Sequence, residues 1–452
     1  MRLYRKCAGL SGISCTGHDD GEKGTIAWGR MMTSDPSARP ESRLRFPEFV
    51  GRRLRVVRLR DVTAESRVRN GDKLAQASVM GVRKGEGIVP MEKRLVASDT
   101  SKYKIVRKNW FAYNPMRLNI GSIARWHGAN EILVSPDYVV FRCLEESKDD
   151  ALSANYLDHF RHSDQWDAFV TEAGDGGVRV RIYYDDISQL QLTLPDIAEQ
   201  QKIADCLGSL DDLIAAEGRK LEALREHKQG LMQQLFPQPG EAQPHLRFPE
   251  FKGGSPWKET PLTDHFAHIR NGFVGTATPH YVDNGVPYLQ GKNIKGGRID
   301  PSGLVSVSEE FHKRQAKSQL QMTDIVMVQS GHIGECAIVG TDYAGSNCHA
   351  LIVLSQRYNC CSPFFVNYFY SPHGKGLIAQ AATGNTIRHI LASDVRVFRV
   401  PVPELDERRR IADCLASLDA RLAAQAQRLI ALKQHKQALL QQLFPAAEGN
   451  AL

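Results

Sequence analysis

One long segment occurs twice in this chain, and that repeat constrains the fold more than any single motif does. The first copy spans 195–237 and the second spans 403–445, at a constant offset of 208 residues, with 24 of 43 positions identical. A shorter repeat, LRFPEF, stands at 44–49 and again at 246–251. The sequence therefore predicts a tandem duplication in which a variable block and a shared segment alternate. A repeat with only two copies argues against a solenoid.

Each shared segment has the apolar spacing of a long helix with a narrow seam. Counted in steps of four and three residues from Ile203 or Ile411, eight of ten seam positions in each copy are Ile or Leu. The two polar exceptions fall at matching places, and a Phe-Pro pair ends each segment. The seam residues that we predict to pair are Ile203, Leu207, Leu210, Ile214, Leu221, Leu224, Leu231, Ile411, Leu415, Leu418, Leu422, Leu429, Leu432 and Leu439.

A seam this narrow requires a partner helix, and the twin segment is the nearest candidate. A parallel pair in equal register would place Lys228 beside Lys436, two like charges. An antiparallel pair centred on the repeat would instead bring Lys228 near Asp419, and Lys436 near Asp211. We therefore predict an antiparallel coiled coil flanked by those two ion pairs. The alternative is two separate amphipathic helices, each packed on its own block.

Composition limits the classes of protein that the chain can belong to. Its 452 residues suffice for two or three domains, and its net charge of +7 permits an anionic partner without requiring one. The nine Cys are scattered without a Cys-x-x-Cys pair, which favours a reducing compartment and indicates no zinc site. No apolar run approaches the roughly 20 residues of a membrane helix. We predict a cytoplasmic protein without a membrane partner.

The repeat also predicts the segment boundaries. Residues 1–42 are rich in Gly, Ser and charge and have no counterpart in the second half, so we predict a disordered N-terminal extension there. Block one spans 43–194, the first shared helix 195–237, a linker 238–251, block two 252–402, the second shared helix 403–445 and a tail 446–452.

Both blocks alternate strand-like and helix-like runs in a similar order, which predicts a mixed α/β (α+β) domain in each. In block one the strand-like runs are 108–113, 131–134 and 138–143, followed by a helix-like run at 151–161. In block two they are 324–329, 336–339 and 350–354, followed by helix-like runs at 364–370 and 374–382.

Glycine-containing loops in both blocks carry the side chains that fit base edges and phosphates. Taken singly, each Arg or Lys among these residues is better explained as a solvated surface charge. As a set in the loops of both blocks they favour a nucleic-acid partner, because binding residues concentrate in loops on a rigid scaffold. The candidate DNA-binding residues are Arg83, Lys84, Arg117, Asn119, Arg125 and His127 in block one, and Lys292, Asn293, Lys295, Arg298, His332, Asn385 and Arg388 in block two.

Catalytic patterns are weak. There is no phosphate-binding loop and no dinucleotide-binding glycine pattern. NPM at 114–116 lacks the aromatic residue with which adenine methyltransferase loops clamp a base. Asp137 followed by Glu-x-Lys at 146–148 has the outline of a magnesium-dependent nuclease, but the pattern is short and has no counterpart in block two. We predict no catalytic residue and no metal ligand in this chain.

The chain resembles the specificity subunit of type I restriction-modification systems over about 43–445. The resemblance lies in Pro-x-x-x-Glu-x-x-Lys/Arg-Ile-Ala at 195–204 and 403–412, in QQLFP at 233–237 and 441–445, and in LRFPEF before each block. Block two adds VPYLQGKNI at 286–294, DIVMVQSGHIGECAIV at 324–339 and GNTIRHI at 384–390. Block one departs from the pattern, because NIGSIARWHG at 119–128 stands where a Ser-Gly-x-x-Gly loop is expected.

The resemblance implies two target recognition domains, related by a pseudo-twofold axis, that each read half of an asymmetric bipartite site in double-stranded DNA. It implies that the helices space the domains and dock two methyltransferase subunits, which endonuclease/translocase subunits then join. S-adenosylmethionine, ATP and Mg²⁺ are expected on those partners, and no cofactor is expected on this chain. Two alternatives stay open: the specificity subunit of a fused type II-like system, and a coiled-coil scaffold with two protein-binding domains.

Overall fold

The computed structural model describes residues 44–92, 95–144, 151–173, 181–383 and 388–445. The chain divides into two compact units: unit 1 comprises the residues up to Glu217 and those from Arg428 onward, and unit 2 comprises Gly218–Gln427. Each unit therefore contains one variable block and half of each shared helix. The predicted extension at 1–42 and the predicted tail at 446–452 lie outside the described residues.

Block one is a set of short strands followed by helices. Its elements are β1 (Arg55–Arg58), α1 (Leu59–Val62), β2 (Thr63–Glu65), β3 (Met80–Arg83), β4 (Gly87–Pro90), β5 (Lys104–Val106), β6 (Phe111–Tyr113), β7 (Ile123–Arg125), β8 (Ile132–Val134), β9 (Val139–Cys143), α2 (Ala154–Phe160), α3 (Asp164–Ala173), α4 (Tyr184–Ile187) and β10 (Gln191–Leu194). The strand predicted over 108–113 begins only at Phe111, because Asn109 has a left-handed backbone with φ of 66° and forms a turn.

The first shared helix, α5 (Ile197–Leu235), follows, and block two comes after it. The elements of block two and the second shared helix are β11 (Lys258–Pro261), β12 (Phe266–Asn271), β13 (Tyr281–Val282), β14 (Val286–Leu289), β15 (Ile294–Lys295), β16 (Arg298–Ile299), β17 (Val305–Val307), α6 (Glu309–Arg314), β18 (Ile325–Val328), β19 (Cys336–Ile338), β20 (Asn347–Cys348), β21 (Leu351–Gln356), α7 (Ser362–Tyr370), α8 (Pro372–Ala381), α9 (Ala392–Arg396), β22 (Arg399–Val402) and α10 (Leu405–Leu443).

The two blocks share a strand order despite their different sequences. Each has a four-stranded antiparallel sheet, β2-β9-β6-β7 in block one and β12-β21-β18-β19 in block two. In each, the strand that opens the block pairs with the strand just before the long helix, β1 with β10 and β11 with β22. The prediction of a mixed α/β domain in each block is confirmed.

The long helices pair antiparallel within each unit, as the repeat predicted. In unit 1, Ile203, Leu207 and Leu210 belong to one core with Leu439. In unit 2, the core that contains Ile411, Leu415 and Leu418 includes Leu235, and Leu231 packs against it. All fourteen predicted seam residues are buried or half-buried. Each helix has 39 residues and so extends about 58 Å.

The predicted flanking ion pairs are both present. In unit 1, Lys436 Nζ lies 2.6 Å from Asp211 Oδ1 and 2.7 Å from Asp211 Oδ2. In unit 2, Lys228 Nζ lies 2.6 Å from Asp419 Oδ1. A parallel arrangement would have brought the two lysines together, so these contacts confirm the predicted direction of the helices.

The short LRFPEF repeat is fastened to the beginning of the long helix that follows its own block. In unit 1, Arg45 donates two hydrogen bonds to the buried carboxylate of Glu199, at 2.9 and 2.5 Å. In unit 2, Arg247 does the same to Glu407, at 2.8 and 2.6 Å. We call each of these bidentate pairs a clasp. The two repeated motifs of the sequence therefore form one repeated contact.

The QQLFP repeat ends each helix with a buried phenylalanine. In unit 1, the Phe444 ring packs edge-to-face on Tyr156 and Phe160 of α2. In unit 2, the Phe236 ring contacts Phe364 and Tyr368 of α7. The helix that follows each four-stranded sheet, α2 or α7, therefore packs against the end of a long shared helix.

Candidate nucleic-acid interface

Five of the six DNA-binding candidates of block one line a single cleft in unit 1. The cleft has a volume of about 950 Å³, and we call it the unit 1 cleft. The candidates on its wall are Arg83, Lys84, Asn119, Arg125 and His127. The hairpin of β3 and β4 supplies the first two. The others come from the 3-10 turn at 115–120, the end of β7 and the residues just after β7. Arg117 is exposed on the same 3-10 turn but does not line the cleft.

A buried carboxylate holds two of these candidates in place. Asp158 on α2 accepts hydrogen bonds from Arg125 Nε at 3.0 Å and from Arg161 Nε at 2.8 Å. His127 Nε2 lies 3.4 Å from the same carboxylate. Arg125 also donates to Asn109 at 3.2 Å and to Asn155. The guanidinium of Arg125 is thus engaged within the protein, whereas His127 remains largely exposed.

The charges around Asp158 outweigh its burial. Burial alone would raise the pKa of Asp158, but the hydrogen bond to His127 and the positive charges of Arg161 and Arg125 hold that pKa well below its ordinary value. Asp158 therefore stays ionised at neutral pH. A permanent carboxylate here fixes the end of β7, the strand that forms one wall of the unit 1 cleft.

The three block two motifs that resemble the family meet at one end of the unit 2 sheet. Residues 290–298, which we call loop A, contain the 3-10 turn at 291–293 and the hairpin of β15 and β16. Residues 329–335, loop B, connect β18 to β19. His332 Nε2 of loop B lies 3.3 Å from the carbonyl oxygen of Gly291 in loop A. The segment from Arg388 onward reaches loop B through a hydrogen bond from Ile390 N to Gln329 O at 3.0 Å.

Most block two candidates are exposed on these loops. Lys292, Lys295 and Arg298 are exposed on loop A, and His332 is exposed on loop B. Lys295 forms an ion pair with Asp300 at 2.9 Å. Arg388 is exposed and lines a pocket of about 220 Å³ beside loop B. Asn385 lies outside the described residues.

Asn293 occupies a different environment from its neighbours. It is completely buried, its amide nitrogen donates to the carbonyl oxygens of Asp300 and Ser302, and its side-chain oxygen accepts from Gln290 N at 3.0 Å. These contacts use the amide to shape loop A. The prediction that Asn293 itself contacts DNA is not supported by this placement.

The sequence reasoning missed the residues that anchor the candidates. Asp158 lies in the short helix α2 and Arg161 directly follows that helix, and no motif marks either residue. Trp126 and Trp166 line the unit 1 cleft and are likewise outside any motif. In unit 2, Tyr370 and Glu335 connect loops A and B. Their partners lie tens of residues away, so no local pattern could have revealed the contacts.

The two weak catalytic patterns have ordinary structural roles or fall outside the description. Asn114 caps the 3-10 turn at 115–120, where its side chain accepts from Met116 N at 3.0 Å. Asp137 is exposed, and the Glu-x-Lys at 146–148 lies outside the described residues. Over the described ranges, no group of three or more His, Cys, Asp or Glu could hold a metal ion. In the same ranges no helix combines the length and apolarity needed to span a membrane.

Known proteins resemble this chain over most of its length. The family model for the type I restriction modification DNA specificity domain matches residues 254–434. A putative type I restriction enzyme MjaX specificity subunit of Methanocaldococcus jannaschii is 24% identical over 333 residues, which cover 71% of this chain and 74% of that protein. The EcoBI specificity subunit of Escherichia coli is 24% identical over 157 residues, covering 34% of this chain and 33% of that protein.

Solved structures share the fold. A chain from a study of complex assembly and conformational transition in the type I restriction-modification system superposes with a TM-score of 0.54 at 19% identity, covering 87% of this chain and 98% of that chain. The type I specificity subunit from M. genitalium gives a TM-score of 0.53 at 14% identity, covering 90% and 99%.

The repeated blocks and the paired helices are the fold that these solved structures share, and the second block carries the matched DNA specificity domain. Residues 254–434 match the type I restriction modification DNA specificity domain, and over most of its length the chain is similar to type I specificity subunits. The resemblance inferred from the sequence is confirmed.

Proposed function

We propose that this chain is a specificity subunit that reads an asymmetric bipartite site in double-stranded DNA, with one half-site for each block. The observation that carries the proposal is that the two units repeat one frame but present different loops. The sheet order, the clasp and the helix pair recur in both, whereas the unit 1 cleft and the cluster of loops A and B share little sequence. Two recognition domains with the same scaffold but different loops would recognise different half-sites.

The chemistry of the exposed loops supports a nucleic-acid partner. Arg, Lys and His dominate the candidates that are exposed, and these side chains contact phosphates and the acceptor groups of guanine in the major groove. The net charge of +7 favours encounter with an anionic polymer. An Arg that reads a base would give specificity at one position, whereas a Lys on a phosphate would strengthen binding to every sequence.

The long helices would set the gap between the half-sites. Major-groove faces of B-DNA recur about every 34 Å, and a helix of 39 residues spans about 58 Å, so the helices are long enough to hold two readers one or more turns apart. Their outward faces would dock two methyltransferase subunits and, with them, endonuclease/translocase subunits. In this proposal the cofactors S-adenosylmethionine, ATP and Mg²⁺ belong to the partner subunits, and this chain is not itself catalytic.

Lengthening both helices by one heptad tests the proposal. The change inserts a copy of 213–219 after Arg219 and a copy of 421–427 after Gln427, positions that are equivalent in the repeat. Seven residues add about 10.5 Å, which corresponds to about three base pairs. Methylation-sensitive sequencing of cells that express the variant with its partner subunits should reveal both half-sites unchanged and the gap longer by about three base pairs.

A matched control inserts the same seven residues after Gly240 in the linker, where the backbone is a surface turn. This control should leave both the gap and the half-sites unchanged. A variant whose half-sites change while its gap stays constant would contradict the proposed role of the helices. The absence of any methylated bipartite motif in cells with the wild-type complex would contradict the proposed function as a whole.

A further inference from the structure

Loops A and B are joined at one point by two side chains outside the exposed candidate set. Glu335, the last residue of loop B, accepts a hydrogen bond from Gly296 N of loop A at 2.7 Å through its Oε2 atom. The same Oε2 atom lies 2.8 Å from the hydroxyl oxygen of Tyr370 on α7. A carboxylate oxygen only accepts, so the Tyr370 hydroxyl donates to it; the carbonyl oxygen of Cys336, at 3.1 Å, is the more distant acceptor for the same proton.

Tyr370 also accepts hydrogen bonds at this junction. Its hydroxyl oxygen accepts hydrogen bonds from Gly297 N at 2.9 Å and from Cys336 N at 3.1 Å. Burial raises the pKa of Tyr370, so the phenol stays protonated and keeps its donor. One hydroxyl therefore links loop A, the beginning of β19 and the Glu335 carboxylate to the buried helix α7.

The junction fixes the turn that carries two exposed basic residues. Gly296 and Gly297 have φ of 54° and 84°, a left-handed conformation that glycine adopts without steric cost. Because of this turn, their two consecutive N–H groups both reach the Glu335–Tyr370 pair. Lys295 and Arg298, on either side of the two glycines, are exposed to solvent. The position of the turn, and of both basic side chains, therefore depends on the pair.

We propose that Glu335 and Tyr370 are positioning residues that set the DNA specificity of block two by holding loop A and loop B in one arrangement. The proposal rests on the proposed function and names which contact controls it. A reader must place its side chains within about half an ångström to distinguish base edges, so a loose loop should still attract DNA but lose discrimination.

The test compares Tyr370→Phe with Tyr368→Phe, a matched control on the same helix. Tyr368 is fully buried, and its hydroxyl forms one 2.7 Å hydrogen bond to His373 Nδ1, away from both loops. Each variant removes one buried tyrosine hydroxyl. The probe is a duplex that carries the methylated motif found for the wild-type complex, together with duplexes that carry single substitutions in either half-site and a duplex of scrambled sequence.

Binding is measured with the full-length variants assembled with their partner subunits, over a range of salt concentrations. We expect Tyr370→Phe to lower discrimination against substitutions in one half-site by about tenfold, with the other half-site unaffected. Binding to the scrambled duplex and its salt dependence should stay at wild-type values, because the exposed basic residues remain. Glu335→Ala should behave like Tyr370→Phe, and Glu335→Gln should be milder because it keeps an acceptor oxygen.

Three results would overturn the proposal. Equal effects of Tyr370→Phe and Tyr368→Phe would mean that the hydroxyl only contributes to folding, which thermal unfolding of both variants would reveal. Equal loss of discrimination in both half-sites would mean that Tyr370 does not act on the half-site of one block alone. A wild-type complex without sequence preference in either half-site would overturn the proposed function and this inference with it, and that result is visible before any variant is made.

Discussion

In both units, an acidic side chain joins the edge strand of the four-stranded sheet to a helix that follows the sheet. The acidic residue lies on the helix in unit 1 and next to the strand in unit 2. In unit 1 the carboxylate is on the helix, where Asp158 holds Arg125 at the end of β7. In unit 2 the carboxylate directly precedes β19, where Glu335 accepts a hydrogen bond from the hydroxyl of Tyr370 on α7. The two sites have the same place in the frame, because β7 and β19 are the last strands of equivalent sheets.

The comparison distinguishes the contacts that both halves of the duplication share from the contacts that differ between them. The contacts that recur include the pairing of the first and last strands of each block, the clasp and the aromatic end of each long helix, and none of them involves a candidate DNA-binding residue. The contacts that differ anchor residues of the candidate DNA-binding segments themselves. A shared scaffold that is held by its own buried contacts can keep its geometry while the polar contacts of the candidate loops differ between the blocks. In this way one fold can present two unlike surfaces.

Breaking the clasp should have the largest effect on stability. In Glu199→Ala the buried Arg45 loses its carboxylate, and loss of one partner of a buried pair costs about 3–5 kcal/mol; in Glu407→Ala the half-buried Arg247 loses its carboxylate. The loss should be larger for Glu199→Ala, because the Arg45 side chain is 7% exposed and that of Arg247 is 17% exposed. Urea unfolding combined with hydrogen exchange would assign the loss to the unit that contains the variant.

An exposed ion pair beside each clasp supplies the matched control. Glu48 lies 3.2 Å from Lys202, and Glu250 lies 3.0 Å from Arg410, at equivalent positions of the repeat. Glu48→Ala and Glu250→Ala should each cost less than about 1 kcal/mol, since both partners are solvated. If the control and clasp variants lost similar stability, the clasp would be no more than a surface contact.

Removing the charge of Asp158 should have an intermediate effect that is confined to unit 1. Asp158→Asn takes a charged acceptor from Arg125 and Arg161, and hydrogen bonds to charged groups contribute about 2 kcal/mol. Because the pKa of folded Asp158 is below its unfolded value of about 3.9, its contribution is complete above that pH and is lost as the pH falls further. The wild type should therefore exceed the variant by a constant margin from pH 7 to about 4, and the margin should close below it.

Urea unfolding at pH 7, 5 and 3 measures that margin. Asp164→Asn, a change of an exposed carboxylate at the beginning of α3, serves as its control and should leave the unfolding midpoint almost unchanged at all three values. A margin that widened on acidification would mean that Asp158 is protonated in the folded protein, contrary to the ionised carboxylate inferred from its partners.

The sequence predicted the parts of the fold that repetition and periodicity encode. The seam, the direction of the helices and both lysine–aspartate pairs followed from one offset, because a heptad pattern determines which residues face a partner. Strands such as β18 and β21 were located by continuous apolar runs, which buried strands require. The LRFPEF repeat and Glu199 both belong to repeated motifs of the sequence, but their contact has no sequence signal, since 154 residues separate Arg45 from Glu199.

The candidate interface was less predictable for a physical reason. Basic and amide residues in loops have the same local pattern whether they are free for a ligand or hold the loop together. Lys292 and Asn293 are adjacent, yet the lysine is exposed and the asparagine is buried with its amide fully used. Only tertiary contacts distinguish the two cases, and the same holds for Arg125, whose partner Asp158 is 33 residues away.

The two lysine pairs on the helix seam should give the smallest effect and the finest comparison of the units. Lys436 contacts both oxygens of Asp211, whereas Lys228 contacts one oxygen of Asp419. All four side chains are partly solvated, so Lys436→Ala and Lys228→Ala should each cost at most about 1 kcal/mol, with the larger loss in unit 1. A double-mutant cycle with Asp211→Ala and Asp419→Ala would isolate each pair energy. Exchange of the charges in Lys436→Asp with Asp211→Lys should restore most of what either change alone removes, because the pair keeps its opposite signs. Failure of that exchange in one unit but not in the other would mean that the neighbouring groups, such as His159 at 3.9 Å from Asp211, contribute more to register than the pair itself.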